Sequence, residues 1–233
     1  MEWRQREGVE WLTAGLPGAG VAFSTRSAGS AKESHAPFAE ALGLDPGRVA
    51  INRQVHGADL AIHKNPLRCS FSPDNRGKEQ RSGGLREADG HVLEAPGVAG
   101  LVFAADCLPV AVAGPGGVAM LHCGWRGLAA GIVARGAAAV GATEAAIGPG
   151  IGRCCYEVGD EVLEAFAPLG DGVADGRMLD LPEVAQRLLR EAGVEEIDSA
   201  GLCTCCDSAR FYSHRRDGGP GRQAGIAWVE GGG

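Results

Sequence analysis

The stretch MLHCGWRG (120–127) ends an apolar run in His122 and Cys123 and then turns on a Trp125-Arg126 pair bracketed by Gly124 and Gly127. Histidine and cysteine both bind metals, yet a buried pair of the same types needs no ion: one is a satisfied polar group, the other a small hydrophobe. The neighbouring segments decide between these readings. LPVAVAG (108–114) and GVAMLHC (117–123) are strand-like and meet at GPGG (114–117), a strong hairpin signal. A two- or four-residue loop there pairs Ala113 with Val118, and so Pro109 with His122. Cys107, two residues before Pro109, then shares a face with His122 as a diagonal neighbour, with Cβ atoms roughly 7 Å apart. One ion, bonded to sulfur at about 2.3 Å and to nitrogen at about 2.0 Å, bridges that gap. A three-residue loop would flip the register and place the two side chains on opposite faces.

By the same parity Cys123 faces the core. The third ligand expected is His56 in QVHG (54–57), at the end of an extended segment and before a glycine; His35, His63 and His91 carry no such neighbouring signal. Two histidines and a cysteine with one position left open are catalytic in type, because a structural zinc site is closed by four protein ligands. Asp106, beside Cys107, is expected to orient a ligand or to carry a proton. In GWRG, free N–H groups at a helix start and a bidentate Arg126 would grip an anion, and the two glycines would let the backbone approach it. A phosphate site beside a metal fits that pattern.

These residues must be held by ordered elements. GVAFSTR (20–26) reads as a strand, and PFAEALGL (37–44) as a short helix ended by an Asp-Pro-Gly turn at 45–47. RVAINRQVHG and DLAIH read as extended segments. Residues 64–88 are polar, aperiodic and rich in Pro, Gly and Arg, which predicts a mobile loop. GVAGLVFAADC precedes the two hairpin strands, and GLAAGIVARGAAAVG (127–141) follows them as a helix. A second helix starts at Leu179-Asp180-Leu181-Pro182, capped by Asp180 or Leu181, with Val184, Leu188 and Leu189 as its apolar stripe. EEIDSAG and QAGIAWV read as closing strands. The order mixes hairpins with helices and predicts one α/β domain over 1–233, a mixed β-sheet flanked by helices.

Composition sets the class. Hydrophobic residues make up 45% of the 233 positions and charged residues 22%, an ordinary globular balance. The net charge of −7 argues against a nucleic-acid or anionic-membrane binder. The N-terminus MEWRQREGVEWL is charged where a signal peptide needs an apolar stretch, and no run approaches a membrane span, so a cytoplasmic location is expected. Eight cysteines in a reducing compartment are thiols or metal ligands rather than a disulfide frame. Cys203 and Cys206 are spaced as half of a zinc knuckle, but no second C-x-x-C pair matches them; Cys154, Cys155 and Cys205 carry no assigned role.

QVHG (54–57), ADCLPV (105–110), HCGWRG (122–127), IGPGIGRCCYEVG (147–159) and CTCCDSARFYSHRRDGGPGRQAGIAW (203–228) occur in that order. Together they resemble the bacterial family described as multicopper polyphenol oxidase or laccase-like, also called the peptidoglycan editing factor family, or the purine nucleoside phosphorylases with adenosine deaminase activity. The likeness runs from about residue 20 to 229. It implies a cysteine-hydrolase-like α/β fold and a Zn2+ ion, rather than copper, held by His56, Cys107 and His122. The implied chemistry is phosphorolysis of inosine, guanosine, adenosine and methylthioadenosine, plus hydrolytic deamination of adenosine. Asp106, Cys107 and Arg126 become the catalytic candidates. Gln54, Arg126, Phe211, Arg215 and Arg216 become the candidates for binding purine nucleoside and phosphate, with Phe211 or Tyr212 stacking on the base. Two segments depart from the family pattern: SAGSAKESHAPFAEALGL lacks the usual Gly-Gly-Val-Ser and Asn-Leu-Gly stretches, and the 64–88 loop is long. A cysteine hydrolase acting on peptidoglycan precursors is the alternative; zinc discriminates the two, because a metal-bound thiolate is not a free nucleophile. A copper-dependent polyphenol oxidase is a weaker one: a blue-copper centre plus a trinuclear cluster needs many histidines, and the chain has six, none in a His-x-His pair. A zinc-stabilised binding protein would show no turnover and a fourth protein ligand.

Overall fold

The computed structural model describes residues 1–64 and 85–231. In chain order the elements are β1 (Glu2–Arg6), β2 (Val9–Leu16), β3 (Ala19–Ser24), α1 (Ala36–Ala41), β4 (Val49–Ala50), β5 (Leu60–His63), β6 (Gly90–Leu93) and β7 (Ala99–Ala104). They continue with β8 (Leu108–Gly114), β9 (Gly117–Cys123), α2 (Trp125–Ala129), α3 (Ile132–Val140), β10 (Glu144–Ile147) and α4 (Asp160–Phe166). The chain closes with β11 (Ala174–Asp175), β12 (Met178–Leu179), α5 (Leu181–Glu191), β13 (Glu196–Ser199), α6 (His214–Asp217) and β14 (Gln223–Val229). Of the loop expected over 64–88, residues 65–84 lie outside the described residues. Among the described residues no helix is long and apolar enough to cross a membrane.

Twelve of the strands form two six-stranded mixed sheets rather than the single sheet expected, in the orders β1-β2-β3-β14-β7-β4 and β13-β10-β8-β9-β6-β5, and β11 pairs with β12 in a small third one. The cause is the N-terminal segment. In β2, Val9 and Trp11 point to one face while Leu12, Ala14 and Leu16 point to the other, so both faces of this strand are buried. Its partner β1 is exposed along its whole length. The two sheets pack face to face through Leu12, Val21, Phe23 and Val102 of the first and Leu93, Ala111, Val118 and Met120 of the second. On the outer face of the second sheet, Val110, Ala119, Leu121 and Cys123 meet α3, α4 and α5. Phe38 of α1 covers the outer face of the first, against Trp11, Leu101 and Ile226. The result is a four-layer arrangement, helix on sheet on sheet on helix.

The hairpin of β8 and β9 closes on a two-residue Pro115-Gly116 loop, with Gly114 paired to Gly117 and Pro109 to His122. That is the even register, and Cys123 is fully buried on the opposite face as parity requires. Gly117 takes the left-handed conformation, with φ 118°, and a Cβ there would meet the Leu93 carbonyl oxygen at 2.1 Å. The helix expected over 127–141 is two helices, because Gly131 breaks it with φ 81°. Asp180 caps α5, its Oδ1 accepting from the Glu183 N–H at 3.1 Å.

Close approach of the sheets relies on Gly225 of β14, where a Cβ would fall 2.5 Å from Cβ of Pro109 and 3.1 Å from the Met120 sulfur. Pro109 is buried in a ring-constrained strand position and cannot swing away. Gly225→Ala is expected to destabilise the fold by about 1–3 kcal/mol through overpacking, against less than 1 kcal/mol gained from the backbone. Urea denaturation followed by circular dichroism measures the difference; an unchanged or raised midpoint would contradict the intersheet contact.

Candidate metal centre and its cleft

Three elements converge where β7 crosses to β8. Cys107 closes that crossing, His122 is the penultimate residue of β9, and His56 lies in the loop after β4. The ligand atoms of His56, Cys107 and His122 lie within 4.8 Å of one another. The two imidazole rings meet edge to face at 4.9 Å between centroids. Such spacing is close to what one shared ion with bonds of about 2.0–2.3 Å imposes.

The set is oriented by a residue that the sequence reading missed, Asp89, at the start of β6 and 1% exposed. Its Oδ1 receives His122 Nδ1 at 2.9 Å and the His56 N–H at 2.9 Å, while Oδ2 accepts from the N–H groups of Gly57 at 2.7 Å and Val55 at 3.1 Å. Because a carboxylate only accepts, His122 carries its proton on Nδ1 and turns Nε2 toward the site. The three successive N–H groups around one carboxylate hold His56 at φ 60°, a conformation rare for a non-glycine residue. Gly124 completes the packing: a Cβ there would lie 3.0 Å from Cys107 Sγ and 3.2 Å from the His56 ring.

Burial opposes ionisation of Cys107, but hydrogen bonds and charge from His122 and then His56 bring its thiol down to about 6. Burial likewise opposes protonation of His122, and its bonds to Asp89 and Cys107 overcome that and raise it to about 9. At neutral pH the ion-free pair is thus thiolate and imidazolium, and Cys107 needs no further deprotonation to ligate.

A cleft of about 200 Å³ opens over His56 and Cys107, lined also by Asp106, Trp125, Arg126 and Tyr156. Arg126 is exposed, stacked over the Trp125 ring at 4.3 Å, with Glu161 4.0 Å away. An exposed ion pair of that length holds it weakly. Burial raises the Tyr156 hydroxyl to about 12, so its ring enters the cleft wall as a neutral phenol. A larger groove of about 560 Å³ around Arg153, Asp175 and Asp180 holds none of the three ligands.

Other expected site residues have different duties. Asp106 lines the cleft, but its Oδ1 accepts from Thr204 Oγ1 and its Oδ2 from the Arg215 N–H, both at 2.7 Å. Those bonds hold it at φ 89° and make Asp89, not Asp106, the orienter of the ligands. Gln54 does not reach the cleft: Nε2 donates to the Phe103 carbonyl at 2.9 Å and Oε1 accepts the Phe103 N–H at 2.7 Å, tying the His56 loop to β7. Phe211 is fully buried and offers no face to a base; Tyr212 stacks with Arg26. Arg216 donates to the carbonyls of Thr204, Cys205 and Phe211 and pairs with Asp217, so it braces a loop. Arg215 lies over the Tyr156 ring at 5.5 Å and donates to the Glu157 carbonyl, behind the cleft wall. Cys203 and Cys206 meet Cys154 and Cys155 in a separate cluster.

Asp89→Asn leaves one oxygen for four donors and is expected to lower metal affinity roughly 10- to 100-fold. Competition with a colorimetric chelator measures this, and an affinity within twofold of the parent would remove Asp89 from the orienting role. Between pH of about 6 and about 9 His122 of the ion-free site holds a proton that an ion must displace, while Cys107 holds none. Affinity is therefore expected to rise about tenfold per pH unit over that interval and to level off above it. A flat profile would contradict the thiolate–imidazolium assignment.

Residues 24–230 match the family described as multi-copper polyphenol oxidoreductase laccase. The purine nucleoside phosphorylase PA4543 of Pseudomonas aeruginosa is 32% identical over 94% of this chain and 98% of its own length. The purine nucleoside phosphorylase YlmD of Geobacillus stearothermophilus is 32% identical over 92% of each chain. The crystal structure of YfiH from Bacillus licheniformis, described as a hypothetical protein, superposes with a TM-score of 0.81 at 25% identity, covering 98% of this chain and 99% of its own. The motifs, the two-sheet fold and these likenesses converge: this chain belongs to the multi-copper polyphenol oxidoreductase laccase family.

Proposed function

We propose that the protein is a zinc-dependent purine nucleoside phosphorylase, acting on inosine, guanosine, adenosine and methylthioadenosine, with adenosine deaminase activity in the same cleft. The observation that carries this reading is the open His56–Cys107–His122 set beside a weakly engaged Arg126. The relatives are named purine nucleoside phosphorylases, which supports the purine nucleoside class of substrate. The donor set fits zinc: two imidazoles, one fixed in its tautomer by Asp89, and a thiol held down to about 6. A bound zinc ion would supply a Lewis acid and a lowered pKa for water.

The chain's own residues supply the rest. Arg126 has a planar fork free to hold phosphate near the ribose. In phosphorolysis a phosphate oxygen forms the new bond at the anomeric carbon, the bond to the purine nitrogen breaks, and the purine takes the proton that hydrogen phosphate gives up. Asp106 faces the cleft and is the group placed to handle that proton, its carboxylate steadied by Thr204 and the Arg215 N–H. Tyr156 and Trp125 offer aromatic surfaces to the base, the role first expected of Phe211. Deamination exchanges the purine amino group for oxygen from water and releases ammonia. The reaction belongs in the cytoplasm, where nucleosides and phosphate meet.

A second reading has a specific observation behind it. Cys107, His122 and Asp89 form a thiolate–imidazolium–carboxylate relay, the arrangement of a cysteine hydrolase, and peptidoglycan precursors would be its substrates. Copper oxidation of polyphenols has less support. Among the described residues the clusters with three or more donors are this set and four cysteines, and neither offers the histidines of a trinuclear site.

Inosine incubated with metal-quantified protein and phosphate is expected to yield hypoxanthine and ribose 1-phosphate by chromatography, with the products lost in Cys107→Ala. Arg126→Ala is expected to raise the KM for phosphate about 10- to 100-fold, the value of one charged hydrogen-bonding contact. Zinc-loaded protein that leaves inosine intact would overturn the phosphorylase reading. Alkylation of Cys107 in fully zinc-loaded enzyme at the rate of a free thiolate would favour the hydrolase.

A further inference from the structure

We propose that Cys154, Cys155, Cys203 and Cys206 form a second metal centre, a four-thiolate structural zinc site that clasps the two loops behind the cleft wall. All four sulfurs lie within 4.8 Å of one another. Cys206 Sγ is 3.4 Å from Cys154 Sγ and 3.4 Å from Cys155 Sγ. Four sulfurs at about 2.3 Å from one tetrahedral ion stand about 3.8 Å apart, so the cluster has the dimensions of a zinc–thiolate cage. A disulfide explains the arrangement less well, because Cys206 has two equidistant neighbours and no single partner.

Backbone geometry supplies independent support. β10 and β13 are adjacent and parallel, so the loops leaving their C-terminal ends emerge side by side. Pairing continues past the strands through Gly150 and Cys203, with the Thr204 N–H on the Gly150 carbonyl at 2.9 Å and the Gly150 N–H on the Leu202 carbonyl at 3.3 Å. The Gly152 N–H donates to Cys203 Sγ at 3.3 Å. N–H groups aimed at the first sulfur of a C-x-x-C turn stabilise a thiolate ligand. With four protein ligands the site is closed, which makes it structural where the His56–Cys107–His122 set is open.

The clasp bears on the cleft. Thr204, enclosed between Cys203 and Cys206, donates to Asp106, and the segment bearing Cys154 and Cys155 continues into Tyr156. Zinc here would fix both contacts without touching substrate.

The test is metal content, read apart from activity and from the first site. In a His56→Ala/Cys107→Ala background, elemental analysis of folded protein is expected to find about one zinc per chain, falling to near zero when Cys203→Ser and Cys206→Ser are added. Cobalt reconstitution of the same background is expected to give the charge-transfer absorption of a four-thiolate site, reduced by Cys154→Ser alone, which covers a double variant that does not fold. Zinc-free protein in that background, cobalt spectra indifferent to Cys154→Ser, or an intact mass two hydrogens short per cysteine pair would overturn the proposal. Because the first site is already removed, failure here is distinct from failure of the phosphorylase reading.

Discussion

One buried carboxylate organises this protein. Asp89 is removed from water, and an unpaired ionised group there would cost several kcal/mol. It is repaid by four donors, three from consecutive backbone positions 55–57 and one from His122. Those bonds lower its pKa against the opposing effect of burial. The same four bonds fix the loop of His56, the tautomer of His122 and the distance between them. The loop joins a strand of one sheet to a strand of the other, so Asp89 also ties the layers together at the cleft.

Environment, not residue type, separates His122 from His91. His91 is as buried as His122, but it sits between the two sheets, stacked on His63 and 3.3 Å from the Asn52 amide. Burial, followed by the charge of His63, drives it down to about 3 and keeps it neutral. His122 has a carboxylate and a thiol for neighbours and goes the other way. An anion within contact distance outweighs desolvation, and without one desolvation wins.

Local grammar made part of this legible. GPGG with flanking apolar strands specified the hairpin and hence the shared face of Cys107 and His122, and Asp180 with Pro182 specified the start of α5. The rest depends on contacts distant in sequence. Asp89 lies 33 residues from both His56 and His122, in a segment with no periodic signal. Gln54 and Arg216 are polar residues whose groups are consumed by backbone carbonyls and N–H groups, a fate that spacing does not reveal. Phe211 was a matter of which of two adjacent aromatics turned inward, and burial chose it. The N-terminal strands were obscured by charge: β1 faces solvent along its whole length, and β2 shows alternation only once both its faces are known to be covered.

The crossing from β7 to β8 is short. It passes from one sheet to the other through Ala105, Asp106 and Cys107 alone. Four Cα steps reach at most about 14 Å, and face-packed sheets stand about 10 Å apart. The linker therefore has little slack, and its last residue is Cys107 of the candidate metal centre. An inserted residue, tolerated in many surface loops, would here shift Cys107 relative to both histidines. The thickness of the sandwich acts as a ruler for the candidate centre, and chain length at this one crossing sets where the Cys107 sulfur lies.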